Sequence, residues 1–305
     1  MSETATHDRR KFIGGSDIAA ILGISPWKTA LQLWQDKTQP AMPENNDPGR
    51  LRVLNRGKRM EPYVLDMART EFGMDVVACN ARYIDRDVPH FACEIDAECA
   101  ADKPCTVENI EIKTVHPFKA KEWGEDQGTD QLPLHYAAQV LWGLGITGRS
   151  RCHVLALIGD DLRRYVVERD DEAIAAIRQR AAEFWDGHVL TLNPPPPASA
   201  ADVHALFPRD GGAAIEATEA AAMAIRELHQ LRDKAKALGA EIEGLEASIK
   251  GAMGEAATLT LGGTKLATWR THQAKRFDQR AFQAAHPALF DQFIKTTESR
   301  VFRLA

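Results

Sequence analysis

One predicted strand carries a carboxylate and a lysine on the same face. In the segment TVENIEIKTVHP polar and apolar residues alternate, so Glu111 and Lys113 share one face while the isoleucines beside them point to the other. A Glu-x-Lys pair of this kind is commonly a cross-strand ion pair on a solvated face. A chemical role therefore depends on what the neighbouring elements place beside it.

A second strand-like segment, HFACEIDAECA, carries Asp96 fifteen residues before Glu111. Two antiparallel strands with that separation place both carboxylates side by side. Crowded carboxylates repel each other unless a cation joins them, and a hard cation such as Mg²⁺ or Mn²⁺ binds two or three carboxylate oxygens in such a place. Glu94 and Glu98 share the strand face of Asp96. Glu94 is therefore the alternative metal ligand on this strand.

Further polar residues are candidates for the same site. The charge of Lys113 could orient or help deprotonate a water that attacks a phosphodiester, and it could offset the negative charge that develops there. Glu61 lies on a predicted helix, and Gln139 follows Tyr136 by one helical turn. These residues also have ordinary explanations. Glu61 would place a favourable charge at a helix start, and Gln139 and Tyr136 would belong to the amphipathic packing of their helix.

The segment RRKFIGGSDIAAILG indicates an anion site near the start of the chain. Arg9 and Arg10 precede a Gly-Gly-Ser-Asp turn that opens into an apolar run with helical spacing. We predict that Ser16 is the N-cap of this helix, whose first N–H groups lack intrahelical partners and suit a bound anion. The alternative is that the serine only caps the helix and the glycines only form the turn.

Composition limits the class of protein. The chain has 305 residues, of which 44% are hydrophobic and 27% charged, and a formal net charge of −5, so bulk charge does not favour a protein that coats nucleic acid. Five cysteines without a C-x-x-C pair favour reduced thiols over a metal cluster. The first twelve residues are polar and no long apolar run follows, so we expect a cytoplasmic protein without membrane association.

Four successive prolines in TLNPPPPASA predict a domain boundary, because they cannot continue a helix or a central strand. We expect a first domain over residues 1–192, a linker over 193–200 and an accessory domain over 201–305. The elements predicted for the first domain are a helix capped by Ser25, a helix over 57–72, strands between about 82 and 115, a helix over 131–145, a hairpin around Gly159 and a helix over 171–188.

The accessory domain begins with a heptad seam. Apolar residues from Leu228 to Ala252 alternate at spacings of three and four, which predicts one arm of a helical hairpin packed on its own domain rather than a free coiled coil. Gly262 and Gly263 predict a two-residue hairpin turn. The chain ends in a segment rich in basic and aromatic residues, with a net charge of +5 between 265 and 303. This segment suits contact with DNA, although aromatic residues are more often core.

Five blocks of sequence in order resemble the YqaJ-type viral recombinase family, relatives of the lambda-type phage exonuclease within the PD-(D/E)xK nuclease superfamily. The blocks are GGSDIAAILG, RGKRMEP, a lone Asp in a strand, EIK and YAAQ. The resemblance covers residues 9 to about 190 and implies an α/β (α+β) fold. It implies a restriction-endonuclease-like core with a central mixed sheet flanked by helices, beside a smaller C-terminal helical and β-hairpin domain. Many relatives have Ser-Pro-Asp-Gly where this chain has Glu-Ile-Asp-Ala.

The resemblance also implies roles for residues. Asp96 and Glu111 would bind Mg²⁺, or Mn²⁺, with the backbone carbonyl of Ile112 as a further ligand, and Lys113 would act on the water nucleophile. Glu61 matches a helix glutamate that supports the metal site.

The remaining matches concern the DNA. Gln139 matches a glutamine near the reacting phosphate, and Tyr136 lies beside it on the DNA side. Ser16, together with Arg9 or Arg10, would hold a 5′-terminal phosphate.

The activity implied by the resemblance is a metal-dependent exonuclease that degrades one strand of duplex DNA from 5′ to 3′. It would leave 3′ overhangs for a single-strand annealing partner, and relatives form a ring-shaped trimer around DNA. Two alternatives stay open. One is an endonuclease or single-strand nuclease of the same superfamily, and the other is a non-catalytic scaffold that binds DNA ends during recombination.

Overall fold

The computed structural model describes residues 7–39, 48–101, 106–126, 128–296 and 298–304. The chain divides into two compact units, Met1–Leu206 and Phe207–Ala305. The first unit extends past the proline run, because Asp202 in the short helix after it is buried and accepts a hydrogen bond from the Thr29 hydroxyl at 2.9 Å. Among the described residues, no helix is long and apolar enough to cross a membrane.

A five-stranded mixed sheet forms the centre of the first unit. The strands are β1 (Val76–Ile84), β2 (Ala92–Ala100), β3 (Val107–Val115), β4 (Arg151–Ile158) and β5 (Asp161–Glu168), and they lie in chain order across the sheet. Only β3 and β4 pair in parallel, which requires a crossover between them, whereas the other neighbours are antiparallel. The predicted hairpin after residue 150 is confirmed as β4 and β5.

Helices cover both faces of this sheet, which confirms the predicted class of a mixed sheet flanked by helices. They are α1 (Gly15–Ile21), α2 (Ala30–Thr38), α3 (Pro48–Phe72), α4 (Leu134–Thr147), α5 (Asp171–Phe184) and α6 (Ala200–Leu206). The crossover from β3 to β4 is α4. Trp142 on α4 packs with Ile18 of α1 and Phe91 in one core cluster. Val64 of α3 packs with Ile110 and Leu155 in another. The crossover helix thus lies between the first helix and the sheet.

Two predicted helix starts are wrong. Gly14, not Ser16, is the N-cap of α1, and the Asp17 carboxylate accepts the hydrogen bond from the Gly14 N–H at 3.0 Å. Ser25 caps only a turn, and α2 begins five residues later behind Thr29. Thr29 and Gln32 exchange side-chain and backbone hydrogen bonds in a capping box. This reciprocal cap satisfies the N–H groups of Thr29 and Gln32 at the start of α2.

The second unit contains one long helix and a hairpin. Helix α7 (Glu219–Met253) contains the heptad seam, and β6 (Thr258–Leu261) and β7 (Thr264–Thr268) join through the predicted glycine turn, both of whose glycines have positive φ. The helices α8 (Gln279–Ala285) and α9 (Pro287–Gln292) follow. The prediction that the seam packs as one arm of a helical hairpin is wrong. In the described part of this unit no second long helix pairs with α7, and the seam residues Leu231, Leu238, Ile242, Leu245 and Ile249 are exposed.

Candidate active site

Two carboxylates lie together where β2 separates from β3. The β2–β3 ladder runs from Ala100 to Ala97, and Asp96, the next residue, accepts a hydrogen bond from the Ile112 N–H at 2.8 Å. Glu111 precedes that N–H on β3 and is buried. Burial, followed by the charge of Glu111, raises the pKa of Asp96 from 3.8 to about 7. The two acids therefore repel each other strongly enough to favour a proton or a cation between them.

Lys113 and Gln139 converge on the second of these carboxylates. The Lys113 ammonium donates to Glu111 Oε1 at 2.5 Å, and the Gln139 amide donates to the same oxygen at 2.6 Å. Lys113 also lies 3.4 Å from the Gln139 side-chain oxygen. Burial alone would lower the pKa of Lys113, but the charges of Glu111 and Asp96 outweigh it and raise that pKa. The lysine is thus a cation at neutral pH in the absence of metal.

The neighbours of this cluster come from α4, which also carries Gln139, and from α3 and α1. The Tyr136 ring lies 5.0 Å from the Lys113 ammonium, on the first turns of α4. Burial and the charge of Asp96 raise the pKa of Glu61 on α3, which lies within electrostatic reach of the carboxylates. Gly15 of α1 lies so close to α4 that an added Cβ would be 3.2 Å from Gln139 Cγ. A side chain at this position would crowd the glutamine.

Carboxylate oxygens and backbone carbonyl oxygens are the ligands that a hard divalent cation prefers. Asp96 and Glu111 fit such an ion, because a cation would offset the burial and the repulsion from Glu111 that together raise the pKa of Asp96. Glu94, the alternative ligand, also lines this cavity and its charge contributes to the raised pKa of Asp96, but it pairs with Arg82 at 3.1 Å and its side chain is 60% exposed.

Another set of potential metal ligands lies elsewhere on the sheet. Cys99, Glu108 and His153 place ligand atoms within 4.8 Å of one another. The imidazole and carboxylate already hydrogen bond at 2.6 Å, and Arg151 lies 3.7 Å from the carboxylate. Burial lowers the pKa of His153, so this contact is a hydrogen bond of a neutral imidazole at neutral pH, and the nearby guanidinium disfavours a cation.

The two arginines near the chain start have different partners. The Arg9 guanidinium donates to Ser16 Oγ at 2.6 Å and to Asp17 Oδ1 at 3.3 Å. Arg10 instead forms a two-pronged pair with Asp8, with both hydrogen bonds at 2.9 Å. Arg9 is therefore the arginine that faces Ser16.

One cavity of about 180 Å³ joins the two groups of residues. Arg9 and Ser16 line one part of it, and Asp96, Glu111 and Gln139 line another. A ligand in this cavity would contact a guanidinium and a hydroxyl on one side and the paired carboxylates on the other.

Part of the first unit is similar to a known protein family. Residues 6–150 match the model of the YqaJ-like viral recombinase domain. This part of the chain is a YqaJ-like viral recombinase domain. The chain is also 28% identical over 306 residues to "Uncharacterized protein YqaJ" of Bacillus subtilis (strain 168), an alignment that covers 97% of this chain and 91% of that protein. Every candidate site residue lies within the YqaJ-like domain.

Solved structures with weak similarity include two exonucleases. The alkaline exonuclease LHK-Exo from Laribacter hongkongensis superposes with a TM-score of 0.42 and 19% identity, covering 60% of this chain and 92% of that one. A phage-related exonuclease from Haemophilus somnus 129PT gives a TM-score of 0.37 and 14% identity, covering 59% and 96%.

The YqaJ-like domain also contains site neighbours that sequence reasoning missed. Lys37 on α2 is buried and donates to Asp17 at 2.7 Å. Behind the carboxylates, Arg149 donates to Asn109 at 2.6 Å and pairs with Glu98 at 3.0 Å. Asp17 lies three residues after Gly14, a spacing that predicts a helix cap. No pattern among neighbouring residues predicts the roles of Lys37 or Arg149.

Proposed function

We propose that this chain is a metal-dependent nuclease that degrades double-stranded DNA from a 5′ end. The observation that carries the proposal is the cavity that Asp96 and Glu111 share with Arg9 and Ser16. Paired carboxylates with an adjacent lysine suit hydrolysis of a phosphodiester, and a guanidinium with a hydroxyl suits a terminal phosphate. The viral recombinase family of residues 6–150 supports a substrate of this class.

We infer that Asp96, Glu111 and the Ile112 carbonyl would hold Mg²⁺, or Mn²⁺, with Glu61 in support. Once bound, the ion would polarise a water and the scissile phosphate. The acids lie on adjacent strands, and the hydrogen bond from the Ile112 N–H fixes the first of them. The fold therefore holds two ligand groups in place before an ion arrives, which reduces the entropy lost on binding.

Lys113 and Gln139 have separate tasks in this proposal. The ammonium of Lys113 holds its proton beside Glu111, so it can orient the attacking water and offset developing charge rather than accept the proton of that water. Gln139 donates to the same oxygen of Glu111 and so helps to fix that carboxylate. The Tyr136 ring lies under the lysine, 5.0 Å from its ammonium, and in this proposal it contacts the DNA.

The 5′ to 3′ direction depends on the anion group. If Arg9 and Ser16 bind the phosphate at the 5′ end, the carboxylates lie next to the first phosphodiester of that strand. The product would be duplex DNA with a 3′ overhang, which suits a single-strand annealing protein as partner. A homotrimer that encircles DNA, as the family resemblance implies, would reconcile the negative net charge of the chain with binding to a polyanion.

A labelled duplex tests the proposal. The substrates are linear DNA with a 5′-phosphate and a label on either end, and a covalently closed circle, each with Mg²⁺ or EDTA. We expect Mg²⁺-dependent loss of the 5′ label, a persistent 3′-labelled strand and an intact circle, and we expect no cleavage by Lys113→Ala.

Other outcomes identify the alternatives. A cut circle would indicate an endonuclease, and DNA binding without cleavage in any metal would indicate a scaffold. Arg9→Ala and Arg10→Ala form a matched pair for the anion group. We expect the first to lose the preference for a 5′-phosphate and the second to keep it, because the second arginine is paired with Asp8.

A further inference from the structure

Lys37 is a buried cation that the proposed chemistry does not use. Its side chain is 2% exposed, and its ammonium makes three hydrogen bonds. It donates to the carboxylate of Asp17 at 2.7 Å and to the backbone carbonyls of Arg9 and Phe12 at 2.7 and 2.6 Å. One buried side chain thus fastens both ends of the short segment that carries Arg9.

Asp17 connects this lysine to the anion group. One oxygen of its carboxylate accepts from Lys37 and from the Gly14 N–H, and the other accepts from the Arg9 guanidinium. The carboxylate is buried, with a side chain that is 6% exposed. The same carboxylate therefore fixes the turn before Ser16 and the direction in which Arg9 points.

The charges of these groups determine what the cavity can bind. Asp17 lies 3.3 Å from Arg9, and alone it would cancel the charge of that guanidinium and repel an incoming phosphate. Lys37 offsets the carboxylate, so that the three groups together carry a net charge of +1. That charge is available at Arg9, because the Arg9 side chain is 55% exposed whereas those of Lys37 and Asp17 are almost fully covered.

We propose that Lys37 and Asp17 are positioning residues that hold Arg9 in place and free its charge to bind a terminal phosphate of DNA. This inference rests on the proposed role of the cavity in binding a DNA end. Neither residue touches the DNA. Lys37 acts through Asp17 and through the backbone of the segment that it fastens, and the ligand is the phosphate monoester at the end of a strand.

Binding in EDTA tests this inference without cleavage. The ratio of Kd for a short 5′-hydroxyl duplex to Kd for the matching 5′-phosphate duplex is measured by fluorescence anisotropy. We expect the wild type to prefer the phosphate. We expect Lys37→Gln to lower that ratio on the order of tenfold, the equivalent of one charge-assisted hydrogen bond, because Asp17 is then left uncompensated beside Arg9.

A second variant separates charge from packing. The double variant Asp17→Asn/Lys37→Gln removes both charges and leaves that of Arg9, so we expect it to regain most of the phosphate preference. Lys28→Met is the matched control, since Lys28 is a partly exposed lysine that pairs with Asp36 outside the cavity lining. Thermal unfolding shows which variants are folded, and the ratio is read from those.

Two results would overturn the inference. A folded Lys37→Gln protein that keeps the wild-type ratio would show that the buried lysine does not tune the anion group. A folded double variant without phosphate preference would show that packing, and not charge balance, is what matters. Failure of the proposed nuclease is distinguishable, because it would be seen as intact DNA in Mg²⁺ whatever the binding ratio in EDTA.

Discussion

Replacing Asp96 by asparagine should stabilise the protein in the absence of metal. In the folded state the pKa of Asp96 is about 7, whereas its ordinary value is 3.8. The folded protein therefore binds this proton more tightly than the unfolded chain does, and its free energy of unfolding falls as the pH rises between these two values. At 1.36 kcal/mol per pH unit the difference corresponds to about 4 kcal/mol.

Asparagine has nearly the same shape as aspartate, and its oxygen can still accept the hydrogen bond from the Ile112 N–H. Because it has no charge to lose, Asp96→Asn should exceed the wild type in free energy of unfolding by about 2–4 kcal/mol near pH 8. The advantage should shrink as the pH falls, by about 1.4 kcal/mol per unit, and vanish near pH 4.

Urea unfolding in EDTA at several pH values measures this difference. Glu94→Gln is the control, because Glu94 lies on the same strand but is exposed and pairs with Arg82, so its replacement should change stability by less than about 1 kcal/mol. An Asp96→Asn protein that is no more stable than wild type at pH 8, or a difference independent of pH, would refute the reasoning about crowded carboxylates.

Further predictions concern a glycine beside the site and a buried ion pair outside the cavity lining. Gly15→Ala places a Cβ 3.2 Å from Gln139 Cγ, so we expect slower cleavage and a loss of about 1–3 kcal/mol of stability, measured by nuclease assay and thermal unfolding. Gly187→Ala, where nothing lies within 4 Å, is its control. Asp85→Asn should cost about 1–3 kcal/mol at neutral pH, because buried Asp85 pairs with Arg178 at 2.5 and 3.1 Å. Burial alone would raise the pKa of Asp85, but hydrogen bonds from Arg178 and two backbone N–H groups lower it, so the wild-type advantage should disappear below about pH 4 in urea unfolding.

The central strands could be predicted because their signal is local. Alternation in the EIK segment places Glu111 and Lys113 on one face, and the structure joins them through a hydrogen bond. The hairpin turn at Gly262 and Gly263 was also readable, since both residues adopt positive φ, which glycine tolerates. Strand period and turn chemistry depend on adjacent residues, so one sequence suffices to read them.

The remaining features depend on contacts between distant residues. The sequence contains no signal that Lys37 is buried, because its partners lie twenty to twenty-eight residues earlier in the chain. Ser16 looked like a helix cap, but the carboxylate of Asp17 takes the Gly14 N–H instead and the serine hydroxyl accepts from Arg9. When two residues could cap a helix about equally well, tertiary contacts such as these determine which one does.

The heptad seam shows what a local pattern does not predict, the partner of an apolar helix face. Its period predicted a helix correctly, and α7 extends beyond the seam at its N-terminal end. The period does not specify what covers the apolar face, and residues such as Leu238 and Leu245 are exposed. A sequence pattern determines which residues share a face of a helix, whereas the partner of that face depends on elements or chains elsewhere.

The most direct test of the central claim is nucleotide release from a 5′-phosphorylated linear duplex in Mg²⁺ by the wild type, Glu111→Gln and Glu94→Gln. We expect release by the wild type and near-normal release by Glu94→Gln. We expect Glu111→Gln to lose at least about a hundredfold in rate, on the order of what removal of a group in the reacting centre costs. Equal rates for the wild type and Glu111→Gln, or no release by the wild type in either Mg²⁺ or Mn²⁺, would contradict the assignment of this cavity as a nuclease site.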